Sequence, residues 1–136
     1  MTTNPTHFHQ LLQAALAQPE PQRLLFVFAA AELPDDASAA QRERFAAGQG
    51  GALVPLACVD KSPEELASWE ALVAESRLAS PPWQVAFIAG LPGRAGRAPS
   101  AEAIDSALET MVENVRQGRF GGYLALDPGG APLVFS

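Results

Sequence analysis

The stretch FIAGLPGRAGRAPSAEAI, residues 87–104, runs from an apolar segment through a Gly/Pro/Arg loop into a helix-like one. A strand, a glycine turn and a helix N-terminus together offer free backbone N–H groups to an anion. Arg94 and Arg97 add charge-assisted donors. The spacing of Gly90, Gly93 and Gly96 is GxxGxxG, whereas a dinucleotide fingerprint requires GxGxxG and a Walker loop requires GK before Ser or Thr. Pro92 and Pro99 also remove two backbone donors. A surface turn is therefore the first reading, and an anion site built on Gly93, Arg94, Arg97 and Ser100 is its alternative.

CVDKSPEEL, residues 58–66, is the second candidate. Ligands of open α/β sheets sit beyond the carboxyl ends of parallel strands. If the strands ending at Asp60 and at the 90s loop run side by side, Asp60 and Lys61 share a rim with Arg94 and Arg97. There Lys61 would act as a base or a phosphate contact. The plainer reading is that Asp60 and Lys61 solvate a junction while Ser62 caps a helix. Cys58, the sole cysteine, lies between Ala57 and Val59 and reads as buried filler. A single cysteine excludes an intrachain disulfide and a cysteine-cluster metal site. His7 and His9, two apart on a helix, point to different faces and do not converge on a metal. Glu64, Glu65, Glu70 and Glu75 read as the solvated face of a helix, without the burial that separates the pKa values of paired carboxylates. No metal or cofactor is expected.

Composition bounds what these residues serve. The chain has 136 residues, one domain by size. With 48% hydrophobic and 18% charged residues it is globular, not disordered. A net charge of −6, without a basic stripe, opposes binding to nucleic acid or anionic membrane. The start MTTNPTHFHQ lacks the basic region of a secretory signal. The longest apolar run, Leu24 to Ala31, is far shorter than the about 20 residues of a membrane span. A cytoplasmic location is expected.

Periodicity then places the elements. Thr6 opens a helix with Phe8, Leu11, Leu12, Ala15 and Leu16 on one face, stopped by Pro19 and Pro21. RLLFVFAAAEL reads as a strand buried on both faces. Residues 34–50 are polar around one isolated Phe45, enough for a short surface helix. ALVPLACV is a strand whose internal Pro55 places it at an edge or at a bulge. SPEEL opens a helix presenting Leu66, Trp69, Leu72 and Val73, with Pro63 at its first position and a Ser62–Glu65 capping box. WQVAFIAG is a central strand. Ser100 caps the longest helix, with Ile104, Leu108, Met111, Val112 and Val115 on one face, and Gly118 closes it. FGGYLALDPGGAPLVF reads as a terminal hairpin. The expected fold is α/β: a mixed sheet of about five strands in the order α-β-(α)-β-α-β-α-β-β, with parallel crossovers between strands two, three and four. An α+β arrangement is the alternative.

PEPQRLLFVFAAAELPDD, GGALVPLACVDKSPEEL and MVENVRQGRFGGYLALDPGGAPLVFS resemble a family of small proteobacterial proteins of about 130 residues. Its members often carry the label ribonucleotide reductase subunit alpha. What the resemblance implies is an accessory link to nucleotide metabolism. It does not imply the reductase reaction, which requires a thiyl-radical cysteine and a reducing pair, where this chain has Cys58 alone. The expected function is a non-enzymatic binding or adaptor domain, homodimeric or bound to a protein partner through edge strands. The rival is a small anion- or nucleotide-binding protein, of hydrolase or transferase type, with its site at the helix starts.

Overall fold

The structure is a computed structural model describing residues 6–33, 35–47 and 52–134. Four helices, α1 (Thr6–Leu16), α2 (Ala39–Ala46), α3 (Trp69–Ala79) and α4 (Ala101–Arg116), accompany four strands, β1 (Gln22–Glu32), β2 (Ala52–Lys61), β3 (Val85–Pro92) and β4 (Leu124–Leu126). The side chain of Thr6 lies outside the described residues.

The run LLFVFAAA forms the centre of the sheet because both of its faces are apolar. Leu24, Phe26 and Phe28 enter one core layer with Phe8, Trp69, Leu72, Trp83 and Ile88. Leu25, Val27 and Ala29 enter the other with Phe87, Met111 and Val115. The molecule thus has three layers, with α1 and α3 on one face of the sheet and α4 on the other. In the first layer Phe8 and Trp69 lie 5.1 Å apart, and Phe28 and Trp83 4.9 Å. The Trp83 indole donates to Ser76 Oγ at 2.8 Å, and Ser76 donates to the Val73 carbonyl, so the one buried hydroxyl among the described residues is satisfied.

The strand order is β2-β1-β3-β4, and every neighbouring pair is antiparallel. This corrects the expectation of adjacent parallel strands. β2 and β3 do point the same way, but β1 lies antiparallel between them, so the crossover through α3 spans a split unit. β3 and β4 run oppositely, since α4 lies over β1 and β2 and the chain returns across the sheet through Phe120, stacked on Phe87. The fifth strand is reduced to one bridge, Leu126 with Pro132, because proline has no N–H to extend a ladder.

Two local expectations hold in detail. Pro55 sits on an edge strand and also at a bulge, where the β1–β2 register shifts between Phe28 and Ala29. Ser100 accepts a hydrogen bond from the Ala103 N–H at the start of α4. The helix expected from SPEEL is instead one 3-10 turn, Pro63–Glu65, because Leu66 is extended and Ser68 caps α3 afresh by accepting from the Ala71 N–H. Leu16, assigned to the apolar face of α1, is about half exposed. Among the described residues no helix is long and apolar enough to cross a membrane.

Candidate functional site

β3 ends in a tight hairpin. Arg94 and Arg97 exchange two backbone hydrogen bonds, 2.9 and 3.0 Å long, across the two-residue tip Ala95–Gly96. Both tip residues have positive φ, 54° and 77°, the pattern of a I′ turn. Gly93 lets the chain fold back: a Cβ there would lie 1.8 Å from the Arg97 carbonyl oxygen. Gly93 and Gly96 of the sequence motif therefore shape a turn, while Gly90 pairs with Leu24 inside β3, and two further backbone donors of the loop are already used. The Gly96 N–H donates to the Glu20 carboxylate at 2.9 Å, and the Gly93 N–H to the Pro21 carbonyl at 2.7 Å.

The arginine side chains are a different matter. As the directly opposite pair of an antiparallel ladder they project to the same side of the ribbon. Like charges in that position repel. Both are exposed, and among the described residues neither makes an ion pair. They border an open cleft of about 930 Å³ between the hairpin and the start of α4, with Leu91, Pro92, Pro99 and Ala103 among its apolar walls and Ser100 at its end. Gly93, Arg94, Arg97 and Ser100 therefore come together in one cleft.

Asp60 and Lys61 do not join them. Lys61 and Gly90 both pair with Leu24, so the ends of β2 and β3 lie at the same end of the sheet. Two strand spacings, about 10 Å, nevertheless separate them. Strand alternation also turns the two side chains to opposite faces. Asp60 is bound by Arg23 Nε at 2.6 Å, and Arg23 also reaches Glu65 at 3.1 Å. Lys61 is paired with Glu75 of α3 at 2.8 Å. The rim expected from parallel neighbours is thus two separate clusters. Glu20 and Arg23 were missed from sequence, although Glu20 stands between two prolines and Arg23 is a charge at the head of an apolar strand.

Most of the remaining titratable residues are exposed, while Glu113, Tyr123 and Asp127 are half-buried. Glu65 also accepts from the Ser62 N–H at 2.8 Å, and this bond holds its carboxyl below the usual range. His7 and His9 are exposed on either side of buried Phe8. Among the described residues no group of three His, Cys, Asp or Glu is placed to hold a metal.

Cys58 is exposed, not buried filler. Ala57 and Val59 pack on the α3 layer, and alternation turns Cys58 away from them on an edge strand. Partial burial pushes its thiol up, and the Asp60 charge on the same face adds to this. Alkylation by iodoacetamide is therefore expected to titrate at higher pH than that of a cysteine in a short peptide. Equal rates at pH 7 would contradict this account of the thiol.

No family model matches the chain, and neither a curated protein nor a solved structure is similar to it.

Proposed function

We propose that this protein is a non-enzymatic, cytoplasmic binding domain for an organic anion, received in the cleft between the Arg94–Arg97 hairpin and the start of α4. One observation carries the reading: two exposed arginines are held opposite each other and neither is ion-paired among the described residues, the Glu20 carboxylate beside the turn being bound to the Gly96 N–H. An anion bridging them replaces repulsion with two charge-assisted contacts. The apolar walls add a surface for the rest of the ligand, so an anion with an apolar body fits better than a bare inorganic ion. The engagement of Asp60 and Lys61 in ion pairs away from the cleft supports a binding role over hydrolase or transferase chemistry. The resemblance to proteins labelled as reductase subunits puts nucleotides first among the candidate ligands.

The test is a thermal-shift panel of nucleoside mono-, di- and triphosphates, inorganic phosphate and sulfate. A ligand at 100 times its Kd stabilises the folded state by about 2.7 kcal/mol. That is a rise of several degrees in a domain of this size. The Arg94→Ala/Arg97→Ala variant is expected to lose the shift while keeping, or slightly raising, its own Tm, since a repulsive pair is removed. No shift with any probe, or shifts unchanged in the double variant, overturns the reading.

A further inference from the structure

The sheet is finished on one side and open on the other. Beyond β4 the chain adds a bridge at Pro132, whereas among the described residues no strand pairs with the outer side of β2. Pro55 and the bulge beside it interrupt the first half of β2, so a regular free ladder extends only from Ala57 to Lys61. Directly above that segment, between β2 and α3, is an open slot of about 110 Å³ with Phe28, Ala57, Val59, Leu72 and Ala79 among its apolar walls, and Glu75, Ser76 and Ser80 among its polar ones. A cavity of about 150 Å³ holds a benzene molecule, so this slot takes one aliphatic side chain.

We propose that the outer edge of β2, Ala57 to Lys61, receives an extended basic peptide segment as a fifth strand, which seats one aliphatic side chain in the slot beside α3. Main-chain hydrogen bonds to a sheet edge supply the affinity in this mode, and pockets for alternate side chains supply the choice of sequence. An added strand lies about 4.8 Å from β2, and every second side chain points to the α3 face. Charge selects the partner. The end of β2 carries Asp60, Glu65 and Glu75 against Arg23 and Lys61, with exposed Glu64 beside them. That balance is negative and attracts a basic segment. It disfavours a second copy of this chain, which would bring the same carboxylates to the same place and carries a net charge of −6. The site is separate from the arginine cleft and does not depend on it.

The experiment titrates the full chain with an acetylated octapeptide of alternating valine and lysine with a central leucine, read by calorimetry and by amide hydrogen exchange. The expected result is saturable binding with new protection confined to the amides of residues 57–61. A peptide N-methylated on alternate amides, which cannot extend a ladder, is expected to bind at least tenfold more weakly. So is the wild-type peptide to Ala79→Leu, which fills the slot from an exposed helix position and leaves the core layer untouched. The proposal is overturned by no binding at millimolar peptide, by protection elsewhere, or by N-methylation without effect. Protection of residues 57–61 without peptide, with a concentration-dependent dimer in light scattering, overturns it in favour of self-pairing.

Discussion

Trp69→Ala is expected to destabilise the protein by about 4 kcal/mol, the range for emptying a large aromatic site. Trp69 is only 2% exposed and starts α3. Its ring contacts Phe8 of α1 at 5.1 Å and Trp83 at 6.3 Å. Its indole N–H donates at 2.9 Å to the carbonyl of Pro128, in the turn after β4. One side chain therefore ties together the first helix, the crossover helix and the far end of the sheet. Truncation removes the packing and also strands the Pro128 carbonyl. Urea unfolding followed by fluorescence measures this cleanly, since Trp83 is then the only tryptophan. Total stabilities of about 5–15 kcal/mol make the loss large enough to leave the variant marginal at 37 °C. Trp69→Phe should retain most of the packing and lose only the hydrogen bond, about 1–2 kcal/mol. A loss below 1 kcal/mol for the alanine variant would mean that this layer is looser than its contacts imply.

Gly93→Ala is expected to cost about 3 kcal/mol, through a clash that the backbone alone can relieve. The added methyl group would meet the Arg97 carbonyl at 1.8 Å and the Pro21 carbonyl at 3.0 Å, and neither belongs to a movable side chain. Relief requires opening the Arg94–Arg97 bridge or moving the chain off Pro21. The expected fall in Tm is about 10 °C in a scanning experiment. Gly96→Ala serves as the contrast. No atom lies within 4 Å of the added group, so only the positive φ is penalised, by about 1 kcal/mol. If the organic-anion reading holds, Gly93→Ala also abolishes binding at temperatures where the fold survives, because it separates the two arginines. Similar Tm values for the two variants would show that the hairpin yields more easily than its geometry implies.

Features that depend on nearby residues were legible in the sequence. The double-faced burial of β1, the Ser100 cap and the meaning of Pro55 all follow from residue types within one segment. Which strand lies beside which is not encoded locally. A helix between two apolar runs looks the same whether its strands are neighbours or have a third strand inserted between them. Here β1, made earlier in the chain, is that third strand. The error spread to the site, since the shared rim rested on adjacency and the ion pairs that divide it join residues far apart in sequence, such as Arg23 and Asp60. Cys58 was misread for a related reason. Apolar neighbours bury a residue in a central strand, whereas on an edge strand alternation alone decides. The cleft was half legible: its arginines and serine stood out, but the opposed pairing of Arg94 and Arg97 depends on a turn with Ala95 in a conformation that alanine rarely adopts.

The position of β1 has a consequence for synthesis. It is the most apolar segment of the chain, yet both of its partners are translated after it, and β3 ends only at Pro92. At about 5–20 residues per second, the nascent run Leu24–Ala31 waits for seconds without a complete ladder, a period in which such runs aggregate. Pro19 and Pro21 on one flank, and Asp35 and Asp36 on the other, are placed as gatekeepers for that interval.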